Sequence, residues 1–153
     1  LIILRLFNVV GMTKKFHVFK FKKANYQRLF FKLAVQQPDF QINYQIKKNK
    51  KVFPKRDFID IKDVSYVIFK FLNKIKSKNI AKTFNLGSGE ATSIIDVCKK
   101  FNIKDNIKLK KISKKELSIT KANINKIKKF LSWQPKIKIK DSIKSTQKFI
   151  QFN

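Results

Sequence analysis

Only three glycines occur in the 153 residues, and two of them, Gly87 and Gly89, stand two apart in the stretch KTFNLGSGEATSIIDVCKKF (82–101). A residue without Cβ is the default where backbone must turn sharply or pass close to another group. A chain this poor in glycine therefore marks its tightest passage plainly. Before the pair, IAKTFNL reads as a strand; after it, SIIDVCKKF repeats its apolar residues at helical spacing. The pattern predicts a strand ending at the glycines and a helix capped by Ser93, with Asp96 three residues on in the capping-box relation. The loop between them could cradle a phosphate or simply turn. A dinucleotide fingerprint needs a third glycine, where Thr92 stands, and GSGEATS lacks the Gly-Lys-Ser/Thr of a Walker loop. Turn geometry is the better reading.

The remaining segments alternate in kind. LIILRLF (1–7) has the near-continuous apolar character of a buried strand, and Asn8 and Gly11 supply turn chemistry at its end. TKKFHVFKFKK fits strand or loop equally. ANYQRLFFKLAV (24–35) is spaced as a helix and is stopped by Pro38. DFQINY alternates as a short strand, and QIKKNKKVFPK is a polar, lysine-rich loop. After RDFID, Val64, Val67, Ile68, Phe71 and Leu72 form the stripe of a solid helix, with Asp60 or Asp63 near its positive end. NIKLKKI is a further strand, NINKIKKFL a short helix left at Trp133 and Pro135, and DSIKSTQKFIQF a closing amphipathic helix. This order defines an α/β chain with an incomplete sheet.

The formal charge is +28, from 37 basic and nine acidic residues. Only Arg5, Arg28 and Arg56 are arginine. Lys, Asn, Ile and Phe abound while Gly, Pro, Ala and Arg are scarce, the bias that A/T-rich codons produce. The lysines are spread from Lys14 to Lys148, which favours solvated surface over a nucleic-acid stripe. A hydrophobic content of 43% with 16 Phe suits a packed core. LIILRLFNVV is too short to cross a bilayer. One cysteine, Cys98, and one histidine, His17, permit neither an internal disulfide nor a zinc site of the usual kind, and point to a reducing compartment. His17 sits in a Phe-rich patch and Cys98 on an apolar helix side, so packing outweighs catalysis for both. Tyr44–Lys48 and Tyr66–Lys70 have Tyr-x-x-x-Lys spacing, which chance supplies readily among so many lysines. No catalytic residue is assigned.

Four stretches nevertheless fall in a specific order: LRLFNVVG (4–11), RDFIDIKDV (56–64), FNLGSGEATSIIDV (84–97) and ANINKIKKFLSWQPKIKIKDSI (122–143). The set resembles the C-terminal half of extended short-chain dehydrogenase/reductases that modify nucleotide sugars, above all UDP-glucose 4-epimerases. There the stretches run Leu-Arg-Tyr-Phe-Asn, Arg-Asp-Tyr-Ile-His-Val, Tyr-Asn-Leu-Gly-Ser-Gly, and Ala-Asp-x-x-Lys with a later Gly-Trp-x-Pro.

That resemblance implies the C-terminal part of a Rossmann-type fold. Residues 1–11 would end the Rossmann domain. Residues 12–153 would form mainly the small mixed α/β substrate-binding domain, with a returning sheet strand near 81–86. Asn8 would reach a UDP-sugar, Phe7 would lie by NAD, and Arg56 would neutralise the substrate diphosphate, a task suited to a forked guanidinium. A surface ion pair between Arg56 and Asp57 is the less favoured alternative. Glu116 falls where the family places a ribose-binding acid. Its neighbouring phosphate-gripping arginine is Ser113 here, leaving Lys111, Lys114 or Lys115 as available point charges. The histidine of Arg-Asp-Tyr-Ile-His is Asp60. The cofactor glycines and the catalytic Tyr-x-x-x-Lys, which support hydride removal from sugar C4 and its return, are expected upstream of Leu1. This chain would then be inactive alone, cytoplasmic, and part of a homodimer when complete. The alternatives are a related 4,6-dehydratase or reductase, a small basic nucleic-acid-binding protein, or a decayed gene product.

Overall fold

A computed structural model describes residues 1–12, 33, 40–74, 81–103, 107–112 and 117–151. His17, the segment 24–35 apart from the buried helical Leu33, and Ser113 to Glu116 lie outside the described residues.

The opening apolar run forms β1 (Ile2–Leu6), followed at once by β2 (Asn8–Val10). Asn8 thus begins a strand where turn chemistry was expected. β3 (Phe40–Lys47) starts in DFQINY, where a strand was expected, and runs on to form with β4 (Lys50–Val52) a hairpin through the stretch expected to be a loop. Its two turn residues, Lys48 and Asn49, have φ of 48° and 58°, the left-handed pair of a type I′ turn. The usual signal, Asn-Gly, is absent, which hid the hairpin.

RDFID belongs to β5 (Lys55–Asp60), the most connected strand among those described. It pairs with β2 in parallel, with β7 (Ala91–Ser93) antiparallel and with β9 (Ile119–Thr120) in parallel. α1 (Ile61–Lys74) follows directly and leads to β6 (Lys82–Leu86), which lies parallel to β1 with Leu4 opposite Phe84. α2 (Ile94–Lys100), β8 (Ile107–Lys111), α3 (Asn125–Leu131) and α4 (Ile139–Gln151) complete the described elements. β8 pairs in parallel with β3.

Strand alternation makes β5 a wall between two cores. Ile59 faces one, built from α1 (Val64, Val67, Phe71), β6 (Phe84, Leu86), α3 (Ile127, Leu131) and Trp133. Within it, Phe71, Phe84 and Phe130 hold ring centroids 5.1–5.9 Å apart. Phe58 faces the other core, with Val10, Ile42, Val97, Cys98, Phe101 and Ile143. Burial pushes the Cys98 thiol up to about 11, in keeping with a packing role. Ser93 holds the N-cap position of α2 in extended backbone but makes no side-chain cap; it is spent as the last residue of β7. The capping-box expectation therefore fails because sheet pairing claims the residue.

Candidate substrate-binding site

Nine carboxylates serve the whole chain, and the segment RDFIDIKD places three of them within seven residues. Asp57, Asp60 and Asp63 are 0%, 3% and 4% exposed. A buried carboxylate is tolerable only when hydrogen-bond donors replace its water, and each of these three gathers donors from a different part of the fold.

Asp57 answers the question raised by the two glycines. Its Oδ1 accepts from Ser88 N at 2.6 Å and Ser88 Oγ at 2.7 Å, and its Oδ2 from Gly89 N at 2.9 Å and Ala122 N at 3.0 Å. The NLGSG loop is thus an anion-binding nest of backbone amides, and the anion it holds is the protein's own. A Cβ on Gly87 would stand 2.6 Å from the Ala122 methyl and 2.9 Å from Asp57 Oδ2. Gly89 has φ of +77°, and a Cβ there would meet Ile124 Cδ1 at 2.9 Å. The loop amides are committed and the approach is filled, so these residues do not fit the pyrophosphate of a dinucleotide. An open hollow lined by Ser88, Lys121, Asn123 and Lys128 borders this loop on the Asp57 side of β5.

Asp60 caps α1 by accepting from Lys62 N at 2.8 Å, and takes Ser142 Oγ from α4 at 2.6 Å. Asp63 accepts from Lys136 N and Ile137 N at 2.9–3.2 Å, fixing the chain beyond Trp133 and Pro135. In ANINK, Asn123 Oδ1 accepts from Asn125 N at 3.1 Å. Lys126 Nζ donates to Thr83 O at 2.9 Å and sits 5.2 Å from the Phe84 ring centroid. These polar landmarks are fastenings.

Arg56 behaves differently. One residue before Asp57 on β5, it lies on the opposite face, the face of Phe58. Its Nη1 donates to Lys55 O and Leu117 O, both at 3.0 Å. Asp57 is turned to the NLGSG loop, so the surface pair with Arg56 considered from sequence is not how Asp57 is used. Asn8 is in register with Phe58, and its Nδ2 donates to Asp57 O at 2.7 Å. Asn8 and Arg56 therefore come to adjacent strands on one face, with Cα atoms roughly 8 Å apart from strand spacing and rise. Phe7 donates its backbone N–H to Leu86 O at 3.0 Å, and its partly buried ring packs against the Ile59 core. Glu116 lies outside the described residues.

Both rejected tyrosine–lysine spacings have structural settings. Lys70 Nζ lies 5.5 Å from the Tyr66 ring centroid and also donates to Leu131 O at 3.3 Å. Tyr44 is covered by Lys51, at 5.1 Å, and by Phe53. Sequence reasoning missed the network beside Arg56: Lys47 Nζ donates to Ser118 Oγ at 2.8 Å, and Ser118 Oγ to Gln45 Oε1 at 3.0 Å. Only the two-residue spacing of Gln45 and Lys47 hinted at it. Among the described residues no group of three or more His, Cys, Asp or Glu could hold a metal ion, and no helix is long and apolar enough to cross a membrane.

No protein-family model and no curated protein matches the sequence. Solved structures match the fold. A UDP-glucose 4-epimerase from Stenotrophomonas maltophila, with bound NAD and formylated UDP-arabinopyranose, has a TM-score of 0.82 and 18% identity, over 99% of this chain and 47% of that one. The UDP-Glc/GlcNAc 4-epimerase of Campylobacter jejuni gives 0.71 and 25%, over 99% and 48%. A dTDP-glucose 4,6-dehydratase from Bacillus anthracis in complex with NAD gives 0.71 and 15%, over 99% and 45%. The chain has the Rossmann-like α/β fold of these enzymes and spans about half the length of the structures it matches.

Proposed function

We propose that this chain is the substrate-binding portion of an NAD-dependent nucleotide-sugar enzyme, and within that class of a UDP-glucose 4-epimerase. The observation that carries the reading is the placement of Arg56 and Asn8 on one face of the paired β2 and β5, in a fold matched over 99% of the chain by such epimerases. Arg56 holds the diphosphate; two carbonyls on Nη1 fix the plane of its guanidinium, which is pre-organised for a forked anion. Asn8, fastened to Asp57 O, presents its amide to the sugar side. Glu116 takes the ribose.

NAD supplies the hydride chemistry in this class. The described residues of this chain offer it no phosphate cradle, and its contribution is the edge of Phe7. Epimerisation accordingly requires the complementary Rossmann half, and the chain by itself binds substrate without turning it over. The complete enzyme is a cytoplasmic homodimer. The exposed apolar side chains of β1 support a further covering layer: Ile3 and Leu6 are exposed in a strand whose parallel pairing is normally covered on both faces. A dehydratase or reductase of the same fold would use the same diphosphate grip.

Titration with UDP tests the reading. Wild type binds, Arg56→Gln weakens binding by about 10- to 100-fold, and Arg56→Lys recovers only part of it, as loss of a charged, forked hydrogen bond requires. Failure of UDP to bind the folded chain refutes the proposal. Tight DNA binding with a steep salt dependence would favour the nucleic-acid alternative instead.

A further inference from the structure

The resembled family grips phosphate with a second arginine, and Ser113 stands at that position. We infer that Lys47 is the second cation of this diphosphate site, supplied from the β3–β4 hairpin instead of the segment around Ser113. The inference rests on the nucleotide-sugar reading and adds to it a residue outside the four stretches that carry the resemblance.

Gln45 and Lys47, two apart on β3, share a face, and that face meets Ser118 ahead of β9. Lys47 Nζ donates to Ser118 Oγ, and Ser118 Oγ donates onward to Oε1 of Gln45, which is buried. The backbone of Ser118 is itself fixed, its carbonyl accepting from Lys55 N at 2.8 Å. The preceding carbonyl, Leu117 O, accepts from Arg56 Nη1. Two cations from different strands thus rest on consecutive residues of one segment.

Most exposed lysines roam, because holding one geometry costs rotamer entropy that a single exposed hydrogen bond does not offset. Lys47 is instead placed by a relay that ends on a buried amide, and its ammonium has three donors, of which Ser118 takes one. An ammonium and a guanidinium anchored on the consecutive residues Ser118 and Leu117 are held for a group carrying two adjacent phosphates, and pre-organisation lowers the ordering cost at binding. Lys111, exposed on β8 with its Cα opposite Tyr44, has no corresponding anchor among the described hydrogen bonds.

The test is titration of the chain with UDP and with inorganic pyrophosphate, with thermal melts to confirm folding. Lys47→Gln should weaken both ligands about tenfold and Lys47→Arg should restore most of the loss. Lys51→Gln removes the same charge from the same hairpin and should change binding less than twofold. Equal effects of Lys47→Gln and Lys51→Gln overturn the inference, since only net charge would then matter. If Arg56→Gln weakens UDP binding while Lys47→Gln does not, the inference falls and the substrate reading stands. If UDP does not bind wild type, both fall. Should Lys47→Gln fail to fold, Lys47→Arg against Lys47→Met decides, with equal affinities counting against the role.

Discussion

Asp57 is the residue whose removal should cost most for its size. Replacing it by alanine deletes four hydrogen bonds and strands the backbone amides of Ser88, Gly89 and Ala122 without their acceptor. Each stranded donor costs about 1–3 kcal/mol, so the simple sum is about 3–9 kcal/mol. The loop can admit some water, because Ser88 and Gly89 are only half-buried, which places the expected loss near the lower half, about 4 kcal/mol. That is a large part of the roughly 5–15 kcal/mol holding an ordinary domain together. Asp57→Asn is the sharper probe. It nearly preserves shape but turns an amide NH₂ toward donors that need an acceptor, and about 2–3 kcal/mol should be lost. Trp133 is the only tryptophan and lies in the same core as Ala122, so its fluorescence reports urea unfolding directly. With a slope of about 2 kcal/mol per molar urea, the alanine variant should shift the midpoint by roughly 2 M. Asp96, exposed on α2, is the control, and Asp96→Asn should stay within about 0.5 kcal/mol of wild type. An Asp57→Asn midpoint indistinguishable from that of Asp96→Asn would refute the view that the NLGSG loop is folded around its own carboxylate.

Gly89→Ala forces a left-handed backbone on a residue with Cβ and presses it against Ile124; urea titration should show a loss of about 1–3 kcal/mol. The Cys98 thiol, pushed up to about 11 by burial, stays protonated between pH 9 and 11 while the unfolded thiol ionises. Iodoacetamide should therefore label it far more slowly in the folded chain than in urea at pH 9, and the linked contribution to stability declines as pH rises through that window. Comparable labelling rates in the two states would contradict its burial. Ile3 and Leu6 are 45% and 52% exposed on β1; Ile3→Glu with Leu6→Glu should raise the concentration at which the chain aggregates and change the melting temperature by only a few degrees. A cooperative loss of folding in that variant would show that those side chains are already covered.

Much of this molecule is written locally. β1, α1, β6, β8, α3 and α4 follow from apolar spacing and from the breakers at Gly87, Trp133 and Pro135, because each element needs only its own period to declare which side is apolar. The family resemblance likewise depends on short stretches in order, and Arg56 stood out as one of three arginines. What the sequence could not declare was pairing. β7 and β9 are two- or three-residue strands that exist only because β5 lies beside them, and Ser93 was assigned to a cap when a strand had claimed it. The same limit applies to charge. Arg56 and Asp57 are neighbours in the chain, but pleating sends one to the Phe58 face and the other to the NLGSG loop. Whether a carboxylate receives substrate or its own backbone depends on which distant amides converge on it. Ser88, Gly89 and Ala122 lie 31 to 65 residues from Asp57, and only the packed chain brings them there.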